Sequence, residues 1–239
     1  MNMATRVLAV IAALSIAGAL SAPFKRVSDP AELREIASAP VGGASMLAIL
    51  GGYKSVIADF IWIRAYCAWE KKDSAECSAS IDLACSLDPQ MATFWTQGAR
   101  MIAQDMPHWF LARLPKAQRD EASLNLFRRK QSLIAVALLD RGLKLNPDNL
   151  QMLIAKGQIL ISVEKFAEAE KVFAKAKTLS DEFYSRRIYA SVAAKNGKFD
   201  AALKELEKML SEAEADNPVR AALTDEIQRV NSLKKLSEK

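Results

Sequence analysis

Apolar and polar positions along this chain follow a helical period, and the helical pattern itself returns. The stretch Glu164 to Ala176 reads EKFAEAEKVFAKA, and Gly197 to Met209 reads GKFDAALKELEKM. The phenylalanines that follow the two turns, Phe166 and Phe199, are 33 residues apart. Runs of Ala, Leu, Glu and Lys dominate, Gly and Pro number 9 and 8, and nothing shows the alternation of a half-buried strand. The pattern predicts an all-α chain of helix–turn–helix units, each burying its apolar face only against its neighbours.

Four units can be set in phase. In the third, Gly157 is the small contact residue, Ala169 the close-packing alanine and Phe173 the plug between units, with Ala176 one turn later. Ala190, Ala202, Leu206 and Met209 take those places in the fourth. The second opens with Trp95 and closes with Leu145-Asn-Pro147; its glycine, Gly98, sits one residue early. The first closes with Leu87-Asp-Pro89 and carries Ile61, Ala65, Cys77, Ile81 and Ala84. Proline suits these closing positions because it cannot continue a helix.

Pro89 and Pro147 are 58 residues apart, 24 more than one period of about 34. The second unit therefore carries an insertion near 106–130. Its aromatics, Trp109 and Phe110, predict a lid packed over the repeat, followed by a long helix from about 118 to 143.

Residues from about 51 to 209 resemble the tetratricopeptide repeat family. Within them, the segment from Leu50 to Ala65, with Leu87-Asp-Pro89 and Phe94-Trp-Thr-Gln-Gly98, is similar to a group of bacterial membrane-anchored repeat proteins. The resemblance implies a helical-hairpin solenoid of about four repeats, a place in the bacterial cell envelope and a scaffold role. No catalytic residue comes with it.

Around the solenoid, 52–216, the sequence places three further segments. Val7 to Ala22 is an apolar run between Arg6 and Lys25-Arg26, so 1–26 reads as a transmembrane anchor, with a cleaved signal segment ending at Ala19-Leu-Ser21 as the alternative. Either reading puts the solenoid on the periplasmic side of the inner membrane, tethered in one case and secreted in the other. Residues 27–51 read as a juxtamembrane helix and linker, and 217–239 as a capping helix with a stripe of Leu223, Ile227, Val230 and Leu233.

The net charge of +5 does not point to nucleic acid, because basic residues are interleaved with Glu and Asp along helix faces. The three cysteines, Cys67, Cys77 and Cys85, read as packing residues; a Cys67–Cys77 bridge across the first hairpin is the alternative. With one histidine, His108, and no CxxC pair, no metal site is expected. No phosphate loop, nucleophile elbow or metalloprotease motif occurs, so neither an enzyme, a cofactor nor a small-molecule substrate is expected.

A protein or peptide partner is the expected ligand. Helical spacing puts Asp59, Trp62, Tyr66 and Trp69 on the open face of the first repeat, with Ile63 alongside; the alternative for Trp62 and Trp69 is packing under the insertion or against the juxtamembrane helix. Gln97 and Arg100 in the second, Gln158 in the third and Arg187 in the fourth continue that concave face. Trp109 and Arg113 mark the insertion as a second contact surface, and Arg128-Arg129-Lys130 beyond it could engage acidic groups or lipid headgroups. The alternative role is a secreted assembly factor or chaperone for an envelope or pilus-like structure.

Overall fold

The computed structural model describes residues 53–180, 183–214 and 216–237, and no strand occurs among them. The anchor or signal segment 1–26 and the juxtamembrane segment 27–51 lie outside the described residues. Among the described residues, no helix is long and apolar enough to cross a membrane. The chain divides into two compact units, Met1–Asp88 and Pro89–Lys239.

The first unit contributes one hairpin, α1 (Lys54–Glu70) and α2 (Ser74–Leu87), packed on each other. Ile57, Ala58, Ile61, Ala65 and Ala68 of α1 are buried, as are Cys77, Ile81, Ala84 and Cys85 of α2. Cys77 and Cys85 are packing residues and Cys67 is exposed, all three as thiols; Cys67 and Cys77 are not joined.

In the second unit each hairpin packs against the next. Its first arm runs from α3 (Ala92–Arg100) through a π-helical turn (Met101–Asp105) into α4 (Met106–Arg113). After a 3-10 turn at Lys116–Gln118 comes α5 (Glu121–Leu145), the second arm. Two shorter hairpins follow: α6 (Leu150–Ser162) with α7 (Phe166–Leu179), and α8 (Phe183–Lys195) with α9 (Phe199–Glu212). The last helix, α10 (Val219–Ser237), packs on α9 and buries Leu223 and Val230. The sequence α5–α6–α7–α8–α9–α10 is a chain of nearest-neighbour packings, with α3 also reaching α6. That is the contact pattern a stack of repeats requires.

The insertion is not a lid. Its residues lengthen both arms of the second hairpin, and α4 packs on α5. Pro107 explains why the sequence misled: it lacks an N–H and its ring crowds the preceding turn. The chain accommodates it by widening one turn, where the Met106 N–H reaches back to the Met101 carbonyl. Helix then resumes without a break.

Three hairpin turns share one geometry. Lys72, Glu164 and Gly197 adopt φ of 57°, 62° and 78°. At each, that residue's N–H and the next one's close back on the preceding helix, as in Lys165 to the Leu160 carbonyl and Lys198 to the Ala193 carbonyl. This is a left-handed helix cap that glycine adopts without strain, and only the third turn has one.

Small-against-bulky contacts hold the stack. Phe173, Ala169 and Ala176 are fully buried, and the Phe173 ring lies on the backbone of Gly157. Trp95 lies likewise on Gly142, while its Nε1–H donates to the Pro89 carbonyl at 3.1 Å. The Asn146 amide donates to that same carbonyl at 2.9 Å, so the end of the second hairpin is tied to its beginning.

Polar contacts also join repeats. Arg186, nearly buried on α8, donates from Nε to Glu205 at 2.6 Å and from Nη1 to Glu212, both on α9. Lys177 of α7 reaches the other Glu205 oxygen at 2.6 Å. Burial alone would raise the Glu205 pKa; the hydrogen bonds from Lys177 and Arg186 outweigh it and hold the carboxyl below its ordinary value.

Candidate functional site

Helix α1 is apolar on both sides. One side is buried in the hairpin, as above. On the other, Tyr53, Val56, Phe60 and Ile63 are 62%, 44%, 56% and 55% exposed. With the exposed Cys67 they are spaced 3, 4, 3, 4, which draws a straight seam along about 20 Å of helix. Beside it runs the row named from sequence: Asp59 and Tyr66 exposed, Trp62 half-buried and Trp69 37% exposed. The Trp62 and Tyr66 rings meet edge to face, with centroids 5.4 Å apart. The two rows together make one broad, aromatic-rich face on a 17-residue helix. Tyr53, Val56 and Phe60 were absent from the sequence reading, although their heptad-like spacing was the signal that could have found them.

The remaining sequence candidates lie in the second unit and do different work. Gln158 donates to the Tyr184 hydroxyl at 2.7 Å, bridging the third repeat to the fourth. Arg187 pairs with Glu226 of α10, and the hydrogen bond to that carboxylate raises its pKa further. Both side chains fasten the stack. Gln97 is half-buried and Arg100 exposed on α3.

In the lengthened hairpin, Trp109 of α4 is 7% exposed, so little of its ring is open to a partner. Phe110 meets Phe127 with centroids 5.6 Å apart, and the Arg113 guanidinium lies 5.8 Å over the Phe110 ring. Arg113 itself is exposed.

Residues 150–183, which span α6 and α7, match the sequence profile of the Tetratricopeptide repeat family. The chain carries a tetratricopeptide repeat. In that repeat Gly157, Ala169, Phe173 and Ala176 occupy the contacts that the sequence pattern assigned them. The α8–α9 hairpin repeats the arrangement one period on, with Ala190, Ala202, Leu206 and Met209 buried together. No curated protein matches the chain. Among solved structures, one of PilW, described as a widely conserved type IV pilus biogenesis factor, aligns over 87% of this chain and 97% of its own. Its identity is 16% and its TM-score 0.37, a likeness too slight to bear on function.

Proposed function

We propose that this tetratricopeptide-repeat protein is a non-catalytic scaffold that binds an amphipathic helix of a partner protein on the outward face of α1. One observation carries the reading: a helix buried on one side keeps Tyr53, Val56, Phe60 and Ile63 exposed at coiled-coil spacing on the other. Apolar residues in a 3–4 register fit the ridges and grooves of another helix, and an apolar helix face of this length marks an interaction surface. The adjacent Trp62, Tyr66 and Trp69 are residue types enriched at binding hot spots. Asp59 at the edge of the row gives the partner a polar register mark.

Replacing Val56 and Ile63 together by glutamate tests this in the full-length protein. Both side chains are substantially exposed, so helix content and thermal midpoint stay near wild type. The expected result is loss of a specific co-purifying protein that wild type retains. Unchanged co-purification by a folded variant overturns the reading.

The location we propose with it is the bacterial envelope, with 1–26 as an inner-membrane anchor and the repeats on the periplasmic side. The apolar run from Val7 to Ala22 between basic residues supports this. The protein is expected to stay with membranes through alkaline carbonate extraction. Release together with a mature N-terminus at Ala22 overturns the anchor in favour of a secreted protein.

A further inference from the structure

A cavity of about 360 Å³ opens within the second unit, where the lengthened hairpin meets the turn of the next one. One wall is the π-helical turn, through Ala103 and Gln104, continued by His108. The opposite wall is α5, through Asn125, Arg128 and Arg129, and Glu164 at the α6–α7 turn stands at the third side. None of these residues belongs to the α1 face, and tetratricopeptide packing does not call for them.

The lining mixes apolar surface, from residues such as Ala103 and Val163, with polar side chains, and those side chains carry more cationic than anionic groups. Two guanidinia face one carboxylate, with a histidine and two amides as further hydrogen-bonding groups. Arg128 is set in place rather than free: its Nη1 donates to Glu121 at 3.1 Å and to the Asn125 carbonyl oxygen at 3.3 Å. That second bond uses the Asn125 oxygen as acceptor, and its amide NH₂ is a donor. Arg129 is exposed on the same helix. Planar guanidinium forks paired with amide donors suit tetrahedral oxyanions. The widened turn adds a reason for the cavity to be there, since π-helical turns within α-helices recur at functional sites. Its size is that of a site for a small molecule, not for a helix.

We propose that this cavity binds a small phosphomonoester. Arg128, Arg129 and the Asn125 amide hold the phosphoryl oxygens, with His108 alongside. Glu164 takes a hydroxyl or ammonium group carried next to the phosphate. Binding of this kind goes beyond the scaffold reading and resides in the other unit, so either can fail while the other stands.

Since the chain has a single histidine, the ring-proton resonance of His108 is an unambiguous reporter. Inorganic phosphate and O-phosphoethanolamine are titrated into the full-length protein at fixed pH, with phosphatidic acid vesicles as a third arm. The expected result is a saturable shift with Kd near or below about 1 mM. O-phosphoethanolamine should bind several-fold more tightly than phosphate, and Glu164→Gln should erase that preference. Arg129→Gln should weaken both at least tenfold. Lys130→Gln, the same charge change one residue outside the cavity, should leave both unchanged. No saturable shift overturns the site, as does equal weakening by Arg129→Gln and Lys130→Gln. Retention on vesicles without a response to the soluble compounds also overturns it, in favour of an exposed basic surface.

Discussion

Gly157→Ala is expected to destabilise the protein by about 3 kcal/mol, lowering the thermal midpoint by roughly 6–12 °C. A Cβ at this position would meet three carbons of the Phe173 ring, all closer than 3.0 Å. Neither neighbour can yield. Phe173 is fully buried between Ala169, Ala176 and Leu160, and Gly157 lies in the middle of α6. The prediction has a built-in control. Phe173→Leu leaves a cavity in wild type, but in the alanine background it should recover part of the loss, because a smaller plug makes room for the methyl. The two substitutions should therefore be coupled by at least about 1 kcal/mol in a double-mutant cycle followed by denaturant unfolding. Strict additivity would mean that this contact does not hold the third repeat together.

Glu205→Gln is expected to cost about 3 kcal/mol at neutral pH, because it removes one of the two carboxylates that pair with the almost buried Arg186 and leaves Glu212 alone to balance it. It should also change the pH profile. The Glu205 carboxyl ionises at lower pH in the fold than in the unfolded chain, whose ordinary value is 4.5. The unfolded chain thus takes up the proton first as pH falls. The stabilisation is complete above about 4.5 and drains away as pH drops through the folded value. Glu170, whose hydrogen bonds from Lys198 and Asn196 outweigh the opposing effect of burial, contributes with the same sign. Denaturant titrations between neutral pH and the acid limb should show a smaller acid loss in Glu205→Gln than in wild type. Parallel profiles would place the acid sensitivity elsewhere.

The helical hairpins were legible because their physics is local and repeated. Gly157 needs a flat neighbour and Phe173 needs a gap, and the same exchange of small and large residues returns at Ala190 and Leu206. The lengthened hairpin was misread for a reason equally local. Pro107 and Pro115 look like loop punctuation, yet Pro107 falls in the first turn after the π-helical widening, where its missing N–H breaks no bond that the widened turn needs. Only Pro115 ends a helix arm.

The candidate contact residues were partly legible. Helical spacing placed the row from Asp59 to Trp69 along one side of α1. It passed over the seam beside it, because α1 carries apolar residues on more than one side and the 3–4 spacing of Tyr53, Val56, Phe60 and Ile63 runs next to the aromatic row. Gln158 and Arg187 show a second limit. A polar side chain on a repeat helix can face a groove or hold the next repeat. The partners that decide between these, Tyr184 and Glu226, lie 26 and 39 residues away in sequence.

A photo-reactive benzophenone side chain at position 63 of the full-length protein measures the central claim most directly. The account predicts one adduct, within an amphipathic helical segment of a different protein, and its disappearance when Val56 is changed to glutamate. An adduct to residues 1–52 of the same chain, or to a second copy of this protein, would contradict it.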